Sequence, residues 1–371
     1  MNKLKVKALV IEPLKKVFFK DINLSKKHTD EIEVEWAVSS VCNSERRRYN
    51  LTKSKDDKEP FIGGHEAVGY VSQETYPKKI YALLPHSNCL TRNDSEKCFS
   101  CNNKTENLCQ NMRHAGLDNN EPSGFCDKMY VSRSQLLDVS EINFELSPFL
   151  EPLSCVIRSW NLSDIDIKKG DKSYGIVGGG PIGCLHTFYL NENNPENQIT
   201  IIESNDDRRK ILKQIFREFS NIKISDNSIS DKFEVTVMAC STSSGFTECL
   251  RLLNNQGKLL LFSGFNDTTF KNENYLPEII HRYEFRHFVQ NKILIGSSGY
   301  TENDLMISKK FLQTFENVSK IITGKVYGLN SKVIQRFDGV IENYDEPVLI
   351  KDIKGELQSN HIKIQYFNKV D

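Results

Sequence analysis

The stretch SYGIVGGGPIGCLHTFYL, Ser173 to Leu190, decides the fold. A short apolar run ends in Gly178-Gly179-Gly180-Pro181-Ile182-Gly183, a G-x-G-x-x-G pattern, and the CLHTFYL that follows can form a helix. A second apolar run, Gln198–Ile202, ends in Glu203, twenty residues beyond Gly183. Strand, glycines, helix, strand and terminal acid together make the dinucleotide-binding arrangement. The glycines permit a tight turn and let a pyrophosphate approach a helix N-terminus closely. Gly178, Gly180, Pro181, Ile182 and Gly183 are the candidate cofactor residues. Glu203 would accept hydrogen bonds from the adenosine ribose and repel a 2′-phosphate, which favours NAD. Arg208, Arg209 and Lys210, five to seven residues on, are bases that could accommodate such a phosphate, so NADP is the second expectation and Arg208 joins the set.

Outward from this unit the pattern repeats. Asn221–Ser225, Phe233–Ala239, Lys258–Ser263 and Lys292–Ser297 read as strands, and TECLRLLN between them as a helix. Six strands with helical crossovers predict an α/β domain with a doubly wound parallel sheet. At 371 residues the chain is long enough for a second domain. Its 49 basic and 49 acidic residues balance, which gives no footprint for nucleic acid. No apolar run approaches the roughly 18 residues that cross a bilayer, and the N-terminal ALVI is too short for a secretory signal. These features predict a soluble cytoplasmic protein. Its ten cysteines then read as thiols or metal ligands rather than disulfides.

Upstream the chemistry differs. Residues 1–40 alternate short apolar runs with turns and end at Cys42-Asn43-Ser44-Glu45. A charged stretch leads into FIGGHEAVGYV, Phe61–Val71, where Gly63 and Gly64 precede the adjacent His65 and Glu66. Held at a bend in apolar surroundings, that pair suits zinc. Between 85 and 126 the chain is polar and carries Cys89, Cys98, Cys101 and Cys109, a spacing that fits a closed structural zinc site. Glu151-Pro152-Leu153 follows, then a helix read over 155–170. The tail mixes a helix, Asn303–Phe315, with the strand-like VLIKDI and HIKIQYF. The expected plan is a first domain over 1–154, a nucleotide domain over 155–298, and a return to the first domain over 299–371.

In this order, the Cys42 tetrapeptide, Gly64-His65-Glu66, the cysteine loop, Glu151-Pro152-Leu153 and the glycine turn resemble the zinc-containing medium-chain dehydrogenase/reductases. The likeness is greatest to the polyol and sugar branch of sorbitol, glucose and ribitol-phosphate dehydrogenases. It implies a mostly-β, GroES-like catalytic domain interrupted by a Rossmann domain. It also implies that Cys42, His65, Glu66 and Glu151 hold a catalytic zinc, with Ser44 relaying the substrate proton. The four loop cysteines would hold a structural zinc. The expected reaction is NAD-linked oxidation of a secondary alcohol of a polyol or sugar to a ketone or lactone, or its reverse. Relatives are dimers or tetramers, so a homo-oligomer is expected, with Lys292–Ser297 able to pair across a two-fold.

The chain departs from the family pattern at several points. Asn43 stands for a glycine, Glu45 for an aspartate, and Ser95 where the first lobe cysteine would be, so Cys89 must reach in from further away. The family's final strand falls near Val348–Lys351, leaving an extension with no evident role. Arg46-Arg47-Arg48 follows the catalytic cysteine, and Arg47 stands where polyol members often carry a histidine. An arginine is no base but binds phosphate or carboxylate with two donors, so Arg46 and Arg47 are candidates for an anionic, phosphorylated substrate. The rival readings are a threonine-type or simple alcohol dehydrogenase and, outside enzymes, a zinc-stabilised NAD-binding sensor or interaction protein.

Overall fold

In a computed structural model of the chain, the structure describes residues 3–12, 16–49, 59–75, 78–116, 122–263, 284–289, 291–327, 333–335, 341–343 and 363–367. The chain divides into two compact units, Met1–Glu151 with Lys309–Asp371, and Pro152–Ser308. Among the described residues no helix is long and apolar enough to cross a membrane.

The first unit opens with a two-stranded antiparallel ribbon, β1 (Leu4–Glu12) and β2 (Lys16–Leu24). Then come β3 (Glu31–Ser40), the short helix α1 (Asn43–Tyr49), β4 (Glu66–Val71) and β5 (Tyr81–Leu83). The cysteine lobe holds β6 (His86–Ser87), α2 (Phe99–Asn102) and β7 (Arg113–His114), and β8 (Lys128–Ser132) and β9 (Leu136–Asp138) follow. Alternate residues of β3 and β4 are driven inward by their apolar side chains, and Trp36, Val34, Ala67 and Val71 meet in one core cluster. A second cluster, with Leu9, Ile11, Val41, Tyr49, Phe61 and Phe125, packs α1 and the chain before β4 against β1.

The helix read over 155–170 in fact begins earlier, as α3 (Leu150–Ser163). Pro152 is no obstacle, because in a helix's first turn the missing N–H has no partner to lose. Glu151 is thereby placed on a helix rather than in a loop. In the second unit β10 (Ser173–Val177), α4 (Pro181–Asn193), β11 (Gln198–Ile202), α5 (Asp206–Ile215), β12 (Ile222–Ser225), β13 (Phe233–Met238), α6 (Ser243–Leu252), β14 (Leu253–Leu261), β15 (Phe285–Val289) and β16 (Lys292–Gly296) follow. The sheet order is β12-β11-β10-β13-β14-β16-β15, and all but β15 run parallel. The six expected strands are present, β14 starting five residues early. The antiparallel edge strand β15 was not foreseen, and because it covers β16 the expected pairing of Lys292–Ser297 across a two-fold has no open edge to use. Strand order reverses between β11 and β13, on either side of β10, and the glycine turn leaves β10 there. Such a switch point is where doubly wound sheets bind ligands.

The chain then forms α7 (Glu302–Thr314) and re-enters the first unit through β17 (Ile322–Tyr327), β18 (Val333–Gln335), β19 (Ile341–Asn343) and β20 (Lys363–Phe367). Val348–Lys351 lies outside the described residues. The expected extension is corrected by β20. This strand sits inside the large sheet, antiparallel to β3 and parallel to β17.

Candidate metal centre and dinucleotide site

The His65 turn is built by glycine. Gly64 has φ +87°, and a Cβ there would lie 2.6 Å from the backbone nitrogen of Phe125. Backbone bonds from Gly124 to Gly64 O (3.1 Å) and from Phe125 to Gly63 O (2.9 Å) lock the turn against the segment before β8. His65 and Glu66, both buried, emerge from it at the start of β4.

Cys42 stands just before α1, and Glu45 in that helix's first turn is fully buried. The Glu45 carboxylate is the hub of the site. One oxygen accepts from the Cys42 backbone N–H at 2.8 Å and lies 3.4 Å from Ser44 Oγ. The other accepts from the Gly64 N–H at 3.1 Å and faces His65 Nδ1 at 2.7 Å. A carboxylate on Nδ1 fixes the ring and its tautomer, leaving Nε2 as the metal-facing nitrogen. Burial opposes charge on both groups, yet each stabilises the other. Glu45 is held below the usual carboxylate range by His65 and the backbone donors, and His65 well above the usual imidazole range by Glu45 and Cys42. Glu45 carried no role in the sequence reading beyond replacing an aspartate. Its position three residues after Cys42 was the available signal.

Donor atoms of Cys42, Glu45 and His65 lie within 4.8 Å of one another, and so do those of His65, Glu66 and Glu151. The four expected zinc ligands are thus gathered as two triplets sharing His65. Glu66 has a further partner, the ammonium of Lys363, buried like Glu66 and reaching in from β20. Lys363 Nζ also stands 5.8 Å from the centre of the Phe149 ring. Sequence reading missed Lys363, because a lysine in K-I-Q-Y-F resembles a solvent-facing position. Arg46 is half-buried on α1, and the Arg47 side chain lies outside the described residues.

The lobe brings Cys89, Cys98, Cys101 and Cys109 together, their sulfurs within 4.8 Å of one another. Cys89 reaches the cluster through a folded turn. Asn88 Oδ1 accepts from Leu90 and Thr91, and the Asp94 N–H returns to Cys89 O at 3.1 Å. All four are free thiols. Arg92 and Asn111 point N–H groups at Cys89 Sγ from 3.9 and 3.7 Å, donors of the kind that surround a metal-bound sulfur. Four crowded sulfurs with donors around them fit a closed zinc site.

In the second unit Gly178 has φ +107°, and a Cβ on Gly183 would lie 2.0 Å from Gly178 O. Neither position admits a larger residue without rearrangement. Gly180 faces open space and caps α4, whose first N–H groups are the donors a pyrophosphate requires. Pro181 opens the helix, and Ile182 is half-buried beside it. Glu203, at the end of β11, is buried, and its carboxylate accepts from Gly179 N and Asn205 N, both at 2.9 Å. Arg208 lies 3.3 Å from the Gly179-bound oxygen. The donor set and the glycine cradle fit a dinucleotide.

No family model matches the chain. It is 24% identical over 355 residues to (R,R)-butanediol dehydrogenase of Saccharomyces cerevisiae, covering 83% of this chain and 87% of that protein. Galactitol 1-phosphate 5-dehydrogenase of Escherichia coli is 25% identical over 166 residues, 43% of this chain and 44% of that one. Among solved structures, a putative zinc-binding dehydrogenase from Sinorhizobium meliloti bound to NADP superposes with a TM-score of 0.69 at 18% identity, covering 98% of this chain and 99% of that one. The fold is that of the medium-chain dehydrogenase/reductases. The two sequence relatives are named as dehydrogenases of a diol and of a hexitol phosphate, and the structural neighbour as a putative zinc-binding dehydrogenase.

Proposed function

We propose that this protein is a zinc-dependent oxidoreductase that interconverts a secondary alcohol of a polyol or sugar with its carbonyl form, using a nicotinamide dinucleotide. The donor cluster around His65 carries the reading, with its imidazole oriented by Glu45 and flanked by Cys42, Glu66 and Glu151. Cys42, His65, Glu66 and Glu151 would hold the metal, and the four lobe cysteines a second, structural ion. When bound, zinc supplies Lewis acidity to the substrate hydroxyl and the dinucleotide takes the hydride. Glu45 keeps the His65 ring in one orientation through the cycle, and Ser44 passes the hydroxyl proton outward. Gly178–Gly183 seat the pyrophosphate. A free acid at Glu203 would favour NAD over NADP, and Arg208 beside it works the other way.

Arg46 and Arg47 support an anionic substrate, in keeping with the galactitol phosphate named for one relative. The protein is read as a cytoplasmic homo-oligomer that takes a small molecule, not nucleic acid or membrane. Metal analysis of the purified protein with a screen for NAD reduction over polyols, aldoses, their phosphates and amino alcohols tests the proposal. Two zinc ions per chain, one lost in Cys42→Ser, with turnover on a polyol or sugar, are expected. Turnover retained by a zinc-free protein would overturn it, and preference for amino alcohols would move it to the threonine-type reading.

A further inference from the structure

An acid at the end of the second strand selects NAD when its charge and lone pairs are free for the ribose hydroxyls. Glu203 has little of either to spare. A carboxylate offers about four acceptor sites. Here one oxygen takes Gly179 N at 2.9 Å and Arg208 Nη1 at 3.3 Å, and the other takes Asn205 N at 2.9 Å. Glu203 works as a clamp between the glycine turn and the start of α5, and a guanidinium sits on its charge.

The three bases after Glu203 are not equivalent. Arg209 donates to Glu203 O at 2.6 Å and pairs with Asp206, and Lys210 pairs with Asp207 at 2.9 Å. Both are spent. Arg208 uses one side-chain donor on Glu203, and its Nε is buried with no hydrogen-bond partner. Its backbone is fixed as well, since Asn205 Oδ1 caps α5 by accepting from Arg208 N at 2.8 Å. It is an anchored cation beside the glycine turn with donors unused, and a guanidinium's fork suits a phosphate.

We propose that Arg208 is the cofactor-selectivity residue, neutralising Glu203 and supplying donors to a 2′-phosphate, so that the site takes NADP as well as NAD. This rests on the reading of Gly178–Glu203 as a dinucleotide site. The test is direct binding to the full-length protein, following nicotinamide fluorescence for NADH and NADPH and calorimetry for 5′-AMP and adenosine 2′,5′-bisphosphate. Wild-type Kd values for NADH and NADPH should agree within about tenfold. Arg208→Gln should weaken NADPH and the bisphosphate by about tenfold or more, and NADH and AMP by about threefold or less. Arg208→Lys, which keeps the charge without the fork, should fall between. Equal loss for both dinucleotides in Arg208→Gln would make the arginine a structural clamp and overturn the proposal. Wild-type preference for NADH by about a hundredfold or more would also overturn it. Binding of neither dinucleotide nor AMP would remove the underlying site as well, whereas the first two outcomes leave that site standing.

Discussion

At the scale of single residues the metal centre depends most on Glu45, which touches three of its parts at once. Its two oxygens accept from Cys42 N and Gly64 N and orient His65. Glu45→Gln keeps the size but turns one oxygen into a donor, so the amide must face either the Cys42 N–H or the Gly64 N–H and imidazole with a hydrogen. A fall in zinc affinity of about 10–100-fold is expected, the range for losing the partner of a ligating histidine. Competition against a chromogenic chelator measures it, and wild-type affinity in the variant would show that the ring is oriented by something else. The ligand candidates Cys42, His65 and Glu151 were legible from spacing and resemblance. What the sequence hides is that Glu45 is fully buried. A carboxylate three residues past a cysteine reads equally well as a solvent-facing first-turn acid, and only its burial against Cys42, Gly64 and His65 in the folded chain distinguishes the two.

At the scale of elements the last strand changes the picture most. Alternation in KIQYF marks β20 as a strand, but places the polar Lys363 and Gln365 on the buried face. Gln365 Nε2 donates to Glu145 O at 2.7 Å, and Lys363 pairs with Glu66, which compensates the amide N–H and the ammonium. Sequence patterning assigns polar residues outward by default and therefore left this segment as an appendage. The parallel strands around β10 were legible for the opposite reason, since strands buried on both faces are plain apolar runs. Removing one member of a buried ion pair strands the other charge, so Lys363→Met should cost about 3–5 kcal/mol of stability. Lys363→Met with Glu66→Gln should recover much of that loss, because no unpaired charge remains. Urea unfolding of the single and double variants decides the matter. Additive losses would mean that the two side chains do not act as a pair.

At the scale of the whole molecule both units bury charge in pairs, Glu45 with His65 and Glu66 with Lys363 in the first, Glu203 with Arg208 in the second. The second also encloses an imidazole with no such pair. His186, in the middle of α4, is fully buried, neither ring nitrogen has a hydrogen-bond partner, and Trp160 and Phe262 meet it edge-on at 5.7 and 5.1 Å. Every residue of α4 from Gly183 to Asn191 is buried, so the helix shows no polar stripe from which a buried histidine could be recognised. Burial pushes the His186 pKa down to about 3 from the usual 6.5. Above pH 6.5 the group is neutral whether the chain is folded or unfolded, and its effect on stability is flat. Between pH 6.5 and 3 the unfolded chain binds a proton that the folded one refuses, so stability falls with falling pH by up to about 1.4 kcal/mol per unit. Below pH 3 both forms are protonated and the loss stops growing. His186→Phe keeps the aromatic packing and removes the titration. Its stability relative to wild type should rise between pH 7 and pH 4.5, and the same difference at both would show that the acid limb comes from the carboxylates instead.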